Sequence, residues 1–148
     1  MRTRSRCVVL LLGAVAASLP LLATPPALSA GLVETDRQAA VLPAIKSTIL
    51  RSTGYADTTV TLGLRDNQFW VTIENSRLND STARQREAQA ARIAGAISNK
   101  VKGDSTFAGI LGIHVDYVAR TKDGSHTDIL DSIDFRKGPD RSFTHHTT

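Results

Sequence analysis

The chain has 148 residues, with 18 Lys and Arg against 14 Asp and Glu. Three of the basic residues, Arg2, Arg4 and Arg6, fall in a leader expected to be removed, which leaves 15 against 14, a net charge of +1 on about 118 residues. That is one domain, long enough to bury a core without disulfide staples, and its even charge gives no electrostatic footprint for nucleic acid.

Residues 1–30 have the three parts of a cleavable secretory signal. Arg2, Arg4 and Arg6 are followed by an apolar run from Cys7 to Ala23, then by the small residues Ala27, Ser29 and Ala30. The alternative is an uncleaved anchor. The run is broken by Pro20 and falls short of the roughly 20 residues of a comfortable span, so no stable membrane span is expected after cleavage. The only cysteine, Cys7, goes with the signal. A cysteine-free mature chain has no disulfide, no thiol nucleophile and no thiolate ligand, and this favours a bacterial periplasmic or secreted location. Residues 31–138 are expected to form the domain, and 139–148 a disordered polar tail.

Thr35 and Gln38 have capping-box spacing, and Leu42, Ile45 and Ile49 repeat at helical spacing up to Gly54. One helix over about 36–53, kinked at Pro43, is predicted. The period then becomes two. Val60, Leu62 and Leu64 alternate with polar or small residues, as do Phe69, Val71 and Ile73. A two-residue Asp66-Asn67 turn pairs Leu64 with Phe69, Leu62 with Val71 and Val60 with Ile73 on one face. Trp70 then lies on the opposite face over Gly63.

A second capping box, Thr82 with Gln85, opens a helix predicted to run to Val101 and stop at Gly103. Its inner stripe is Ala83, Ala90, Ile93, Ala94, Ile97 and Val101, with Gly95 admitted by close packing. A second hairpin covers about 107–136. A three-residue loop, Lys122-Asp123-Gly124 with Gly124 left-handed, pairs Tyr117 with Ile129, Ile113 with Ile133 and Leu111 with Phe135. The order is helix–hairpin–helix–hairpin, αββ twice. The expected class is α+β: one four-stranded sheet with the helices on its apolar face.

No nucleophile elbow, phosphate loop, zinc-protease or calcium-loop motif is present. No cofactor and no metal is expected, although His114, Asp116, Asp128 and Asp134 share a polar face. Trp70, flanked by Thr61 and Thr72 on a polar face, is a candidate binding residue. Arg84 and Arg86 stand near the start of the second helix, against its dipole. With Ser81 and Thr82 they form a candidate anion site. Asp131 falls on the apolar face across from Val115, where a carboxylate needs a partner or a shifted pKa. It is a candidate acid or base. The functional expectation is an exported, non-catalytic binding or adaptor domain whose partner is an envelope or extracellular protein or glycan. Two alternatives stand beside it. One is a small carboxylate- or histidine-dependent enzyme. The other is a binder of anionic glycans or lipid headgroups through the second helix.

Overall fold

The computed structural model describes residues 26–146, with side chains from residue 36 onward. The expected signal falls mostly on residues 1–25, which lie outside the described residues. The fold is α+β with two long helices and a five-stranded mixed sheet. In chain order the elements are α1 (Pro26–Thr53), β1 (Val60–Arg65), β2 (Gln68–Glu74), α2 (Ala83–Val101), β3 (Gly112–Arg120), β4 (Thr127–Lys137) and β5 (Phe143–His145). The sheet order is β1-β2-β3-β4-β5, antiparallel throughout except for the parallel pair β2–β3. That parallel pair is what a helical crossover permits: α2 carries the chain from the end of β2 back to the start of β3. Among the described residues no helix is long and apolar enough to cross a membrane.

The first hairpin has the register expected from the alternation: Val60 opposite Ile73, Leu62 opposite Val71, Leu64 opposite Phe69 and Gly63 opposite Trp70. Asp66 and Asn67 both take positive φ, 51° and 60°, as a two-residue hairpin turn requires. α2 begins at its capping box. The Gln85 N–H donates to Thr82 Oγ1 at 3.4 Å, and the Thr82 N–H donates to Gln85 Oε1 at 3.0 Å. The core lies between α2, the inner half of α1 and one sheet face. Ile45, Ile49, Phe69, Ile73, Ala90, Ile93, Ala94, Ile97, Ile113, Val115 and Tyr117 are all fully or almost fully buried.

Several expectations are corrected. α1 starts at Pro26, so position 35 lies inside a continuing helix rather than at its start. Gln38 instead donates its amide to the carbonyl of Thr106 at 2.8 Å. Ala83 is exposed, because it stands on the first turn of α2, beyond the buried stripe. Gly95 is exposed too, with nothing within 4 Å of where a Cβ would stand. Packing does not require it. Gly95→Ala should therefore stabilise the protein by up to about 1 kcal/mol, the helix-propensity difference alone. An unchanged or lower urea midpoint would contradict the placement.

The second hairpin keeps the expected faces but not the expected register. β4 is displaced by two residues, so that Ile113 pairs with Phe135, Val115 with Ile133 and Tyr117 with Asp131. A two-residue shift leaves every side chain on its face, which is why alternation alone does not detect it. The connection is a six-residue loop, Thr121–His126, rather than three. The Asp123 carboxylate holds it together, accepting from the Thr121 hydroxyl at 2.6 Å and from the Ser125 N–H and hydroxyl at 3.0 and 2.8 Å. Those bonds hold the Asp123 carboxyl down at about 2. Gly124 is left-handed, at φ 72°. Gly124→Val should cost roughly 1 kcal/mol, because a β-branched residue resists positive φ. An unaltered unfolding midpoint would show that the loop tolerates another conformation.

Leu130 is an extra residue in β4, between the pairs Tyr117–Asp131 and Val118–Ile129. This bulge puts Ile129 opposite Val118, on the polar face, where it is 66% exposed, and not on the apolar face that alternation predicts for it. Leu111, expected opposite Phe135, lies before β3 and is 62% exposed. The fifth strand comes from the residues read as a disordered tail. Phe143 packs against the core, and His145 Nδ1 meets Glu87 Oε1 of α2 at 2.8 Å.

Candidate functional site

Both helices pack on one face of the sheet, so the other face carries no described element. Alternation builds that face from Thr61, Gly63 and Arg65 of β1, Gln68, Trp70, Thr72 and Glu74 of β2, Gly112, His114 and Asp116 of β3, and Ser132, Asp134 and Arg136 of β4. Because β2 and β3 are neighbours, Trp70 lies directly beside His114. Their ring centroids are 4.1 Å apart, with the planes tilted by 40°. The Arg65 guanidinium sits 5.4 Å from the indole centroid, within cation–π range. Trp70 is half-buried by these neighbours, and its Nε1 is shielded from water with no acceptor.

The imidazole of His114 is held from both ends. Nδ1 is 2.8 Å from Asp134 Oδ1, and Nε2 is 2.9 Å from Asp116 Oδ1. Each ring nitrogen therefore has a carboxylate oxygen as its neighbour. The Ser132 hydroxyl donates to the same Asp116 oxygen at 2.5 Å. Four side chains from two adjacent strands thus form one connected patch beside the tryptophan. A general base needs a free nitrogen within reach of the proton it removes, and both nitrogens of His114 face carboxylates. An activated serine needs that base as its own partner, and Ser132 turns to Asp116 instead. Among the described residues no group of three His, Asp or Glu is arranged to hold a metal. Asp128 is paired separately with His126, at 2.8 Å.

The other candidate residues fall elsewhere. Asp131 does point to the helix side, opposite Tyr117 rather than Val115. There it meets Arg86 Nε at 3.1 Å, both side chains being mostly buried. Arg86 Nη1 also donates to the carbonyl of Ser81 at 2.6 Å, and the Arg86 carbonyl accepts the Tyr117 hydroxyl at 3.0 Å. Burial, with Tyr55 and Asp131 nearby, pushes the Tyr117 phenol well above the usual tyrosine range. Two residues assigned from sequence to different sites, Arg86 to an anion and Asp131 to acid–base work, therefore neutralise each other beneath α2. Ser81 donates its hydroxyl to the Leu78 carbonyl, and Thr82 is taken by the capping box. Of that group Thr82 and Arg84 are exposed.

Thr61 and Thr72 are paired on the open face, on one side of Trp70, as alternation predicts. What the sequence reading missed is the junction of the two hairpins. Trp70 and His114 were placed on polar faces of separate hairpins, and Arg65 and Ser132 were not singled out at all. The available signal was the crossover: a single helix between two strands is the standard connection for a parallel, adjacent pair. Comparison with protein-family models, with curated proteins and with solved structures found no match to this chain.

Proposed function

We propose that the chain is an exported, non-catalytic adaptor domain that takes a protein partner on the open face of its sheet. The observation that carries this reading is the uncovered face itself, with Trp70 wedged between Arg65 and His114 and the His114–Asp116–Asp134–Ser132 network fixing the surface around it. Tryptophan and arginine are the side chains that most often dominate binding energy at protein interfaces. A surface whose rotamers are already set by hydrogen bonds loses little side-chain entropy on binding. The exposed Ile129 adds apolar area along the same face. The leader pattern of residues 1–30 supports export to the periplasm or beyond.

Two experiments test the reading. N-terminal sequencing of the exported protein should give a start near residue 30 or 31; a protein retained in the membrane from Met1 would mean an anchor. Affinity capture from native envelope extract with the mature domain, read by mass spectrometry, should recover a protein that Arg136→Glu releases and Arg92→Glu retains. Arg136 is exposed on the open face and Arg92 on the helical layer. The reverse pattern would place binding on the helices.

A further inference from the structure

The sheet has two edges, and they differ in a way that points to a second copy of the chain. β5 is a three-residue edge, the short kind that resists pairing with other strands. β1 is six residues long, Val60-Thr61-Leu62-Gly63-Leu64-Arg65, with no proline, no lysine, and a regular register to β2 throughout. Its only charge is the terminal Arg65.

The direction of its free backbone groups follows from bonds on the far side of β2. Asn67 accepts there from the Leu111 N–H, and the Asn75 N–H donates to Val118. Odd-numbered residues of β2 therefore turn toward β3, and even-numbered ones toward β1. Opposite Gln68, Trp70 and Thr72 stand Arg65, Gly63 and Thr61, whose backbone groups face inward. The N–H and C=O of Val60, Leu62 and Leu64 consequently face outward. An antiparallel neighbour must meet outward residues with outward residues.

We propose that β1 pairs antiparallel with β1 of a second copy, centred on Leu62, to give one continuous ten-stranded sheet. This register sets Leu62 against Leu62 of the other copy, Val60 against Leu64, and Thr61 against Gly63. It is the register in which all three outward residues of each strand find outward partners. Apolar residues meet on the helix face and small or polar ones on the open face, with no like charges opposed. The strand reads nearly the same in both directions about Leu62, which a two-fold interface requires of its surface. Beside β1, Ala39, Leu42, Pro43, Lys46 and Leu62 line a shallow groove of about 250 Å³. Leu62 of the other copy enters it. The pairing leaves the open face uncovered and doubles it, so it is independent of the function proposed above.

The test uses the mature chain. Light scattering on size-exclusion chromatography should give a dimer. Leu62→Lys, which opposes like charges across the two-fold axis, should give a folded monomer by circular dichroism. Because the mature chain has no cysteine, Leu62→Cys reports the register directly. Hydrogen-bonded antiparallel partners lie about 5.5 Å apart at Cα, within disulfide range. Mild oxidation should convert Leu62→Cys to a covalent dimer and leave Arg92→Cys, on the helical layer, monomeric on denaturing gels. A monomeric wild type up to its solubility limit, or a dimer cross-linked through Arg92→Cys and not through Leu62→Cys, would overturn the proposal.

Discussion

Phe69→Ala should destabilise the protein by roughly 3–5 kcal/mol, while Trp70→Ala, one residue further on, should cost only about 1–2 kcal/mol. The two aromatic residues point to opposite faces of β2. Phe69 is fully buried under the helices, its ring centroid 5.6 Å from that of Phe107. Truncating it leaves a cavity in a core that has little freedom to collapse. Trp70 lies on the open face, covered only in part by His114 and Arg65. Its removal also takes away an N–H that is shielded without an acceptor, which offsets some of the loss. Equilibrium urea unfolding of the two variants measures the difference. Equal losses would mean that something packs over the open face.

Arg86→Met should cost roughly 2–4 kcal/mol, and most of that loss should be recovered in the double variant Arg86→Met/Asp131→Leu. The single change keeps the apolar stem but strands a mostly buried carboxylate and the carbonyl of Ser81. A buried ion pair broken on one side is costly because the remaining charge has lost its partner, whereas replacing both partners by apolar groups is often close to neutral. The cycle should show a coupling of about 1–3 kcal/mol between the two sites. A coupling near zero would mean that the pair is solvated and that Arg86 is free to serve an external anion.

The parts of this fold that were legible in the sequence are those decided locally. Asp66-Asn67 and the flanking alternation specify the first hairpin down to its register, and Thr82 with Gln85 marks the start of α2. The second hairpin was legible only in its faces. Its register depends on the Asp123 carboxylate closing a longer loop and on Leu130 entering β4 as a bulge, and neither disturbs a period of two until Ile129 is reached. β5 was missed because its three residues, Phe143 to His145, are too few to show a strand period. It is held by Phe143 in the core and by the contact of His145 with Glu87, both distant in the chain. The same distance hid the site. Trp70 and His114 become neighbours only through the parallel pairing across α2, and Arg86 and Asp131, 45 residues apart, each look like an isolated charge until the helix is laid on the sheet.

The central claim, that the open face of the sheet receives a protein partner, is tested most directly by site-specific photo-cross-linking in the intact producing cell. A photoreactive residue is placed either at Arg136, on the open face in β4 and away from the β1 edge, or at Arg92, on the outer surface of α2; both positions are exposed. The expected result is one discrete higher-mass adduct from position 136 and none from position 92, with the adduct identified by mass spectrometry as a protein other than this chain. Adducts from position 92 with none from position 136 would contradict the account and move the binding surface to the helical layer.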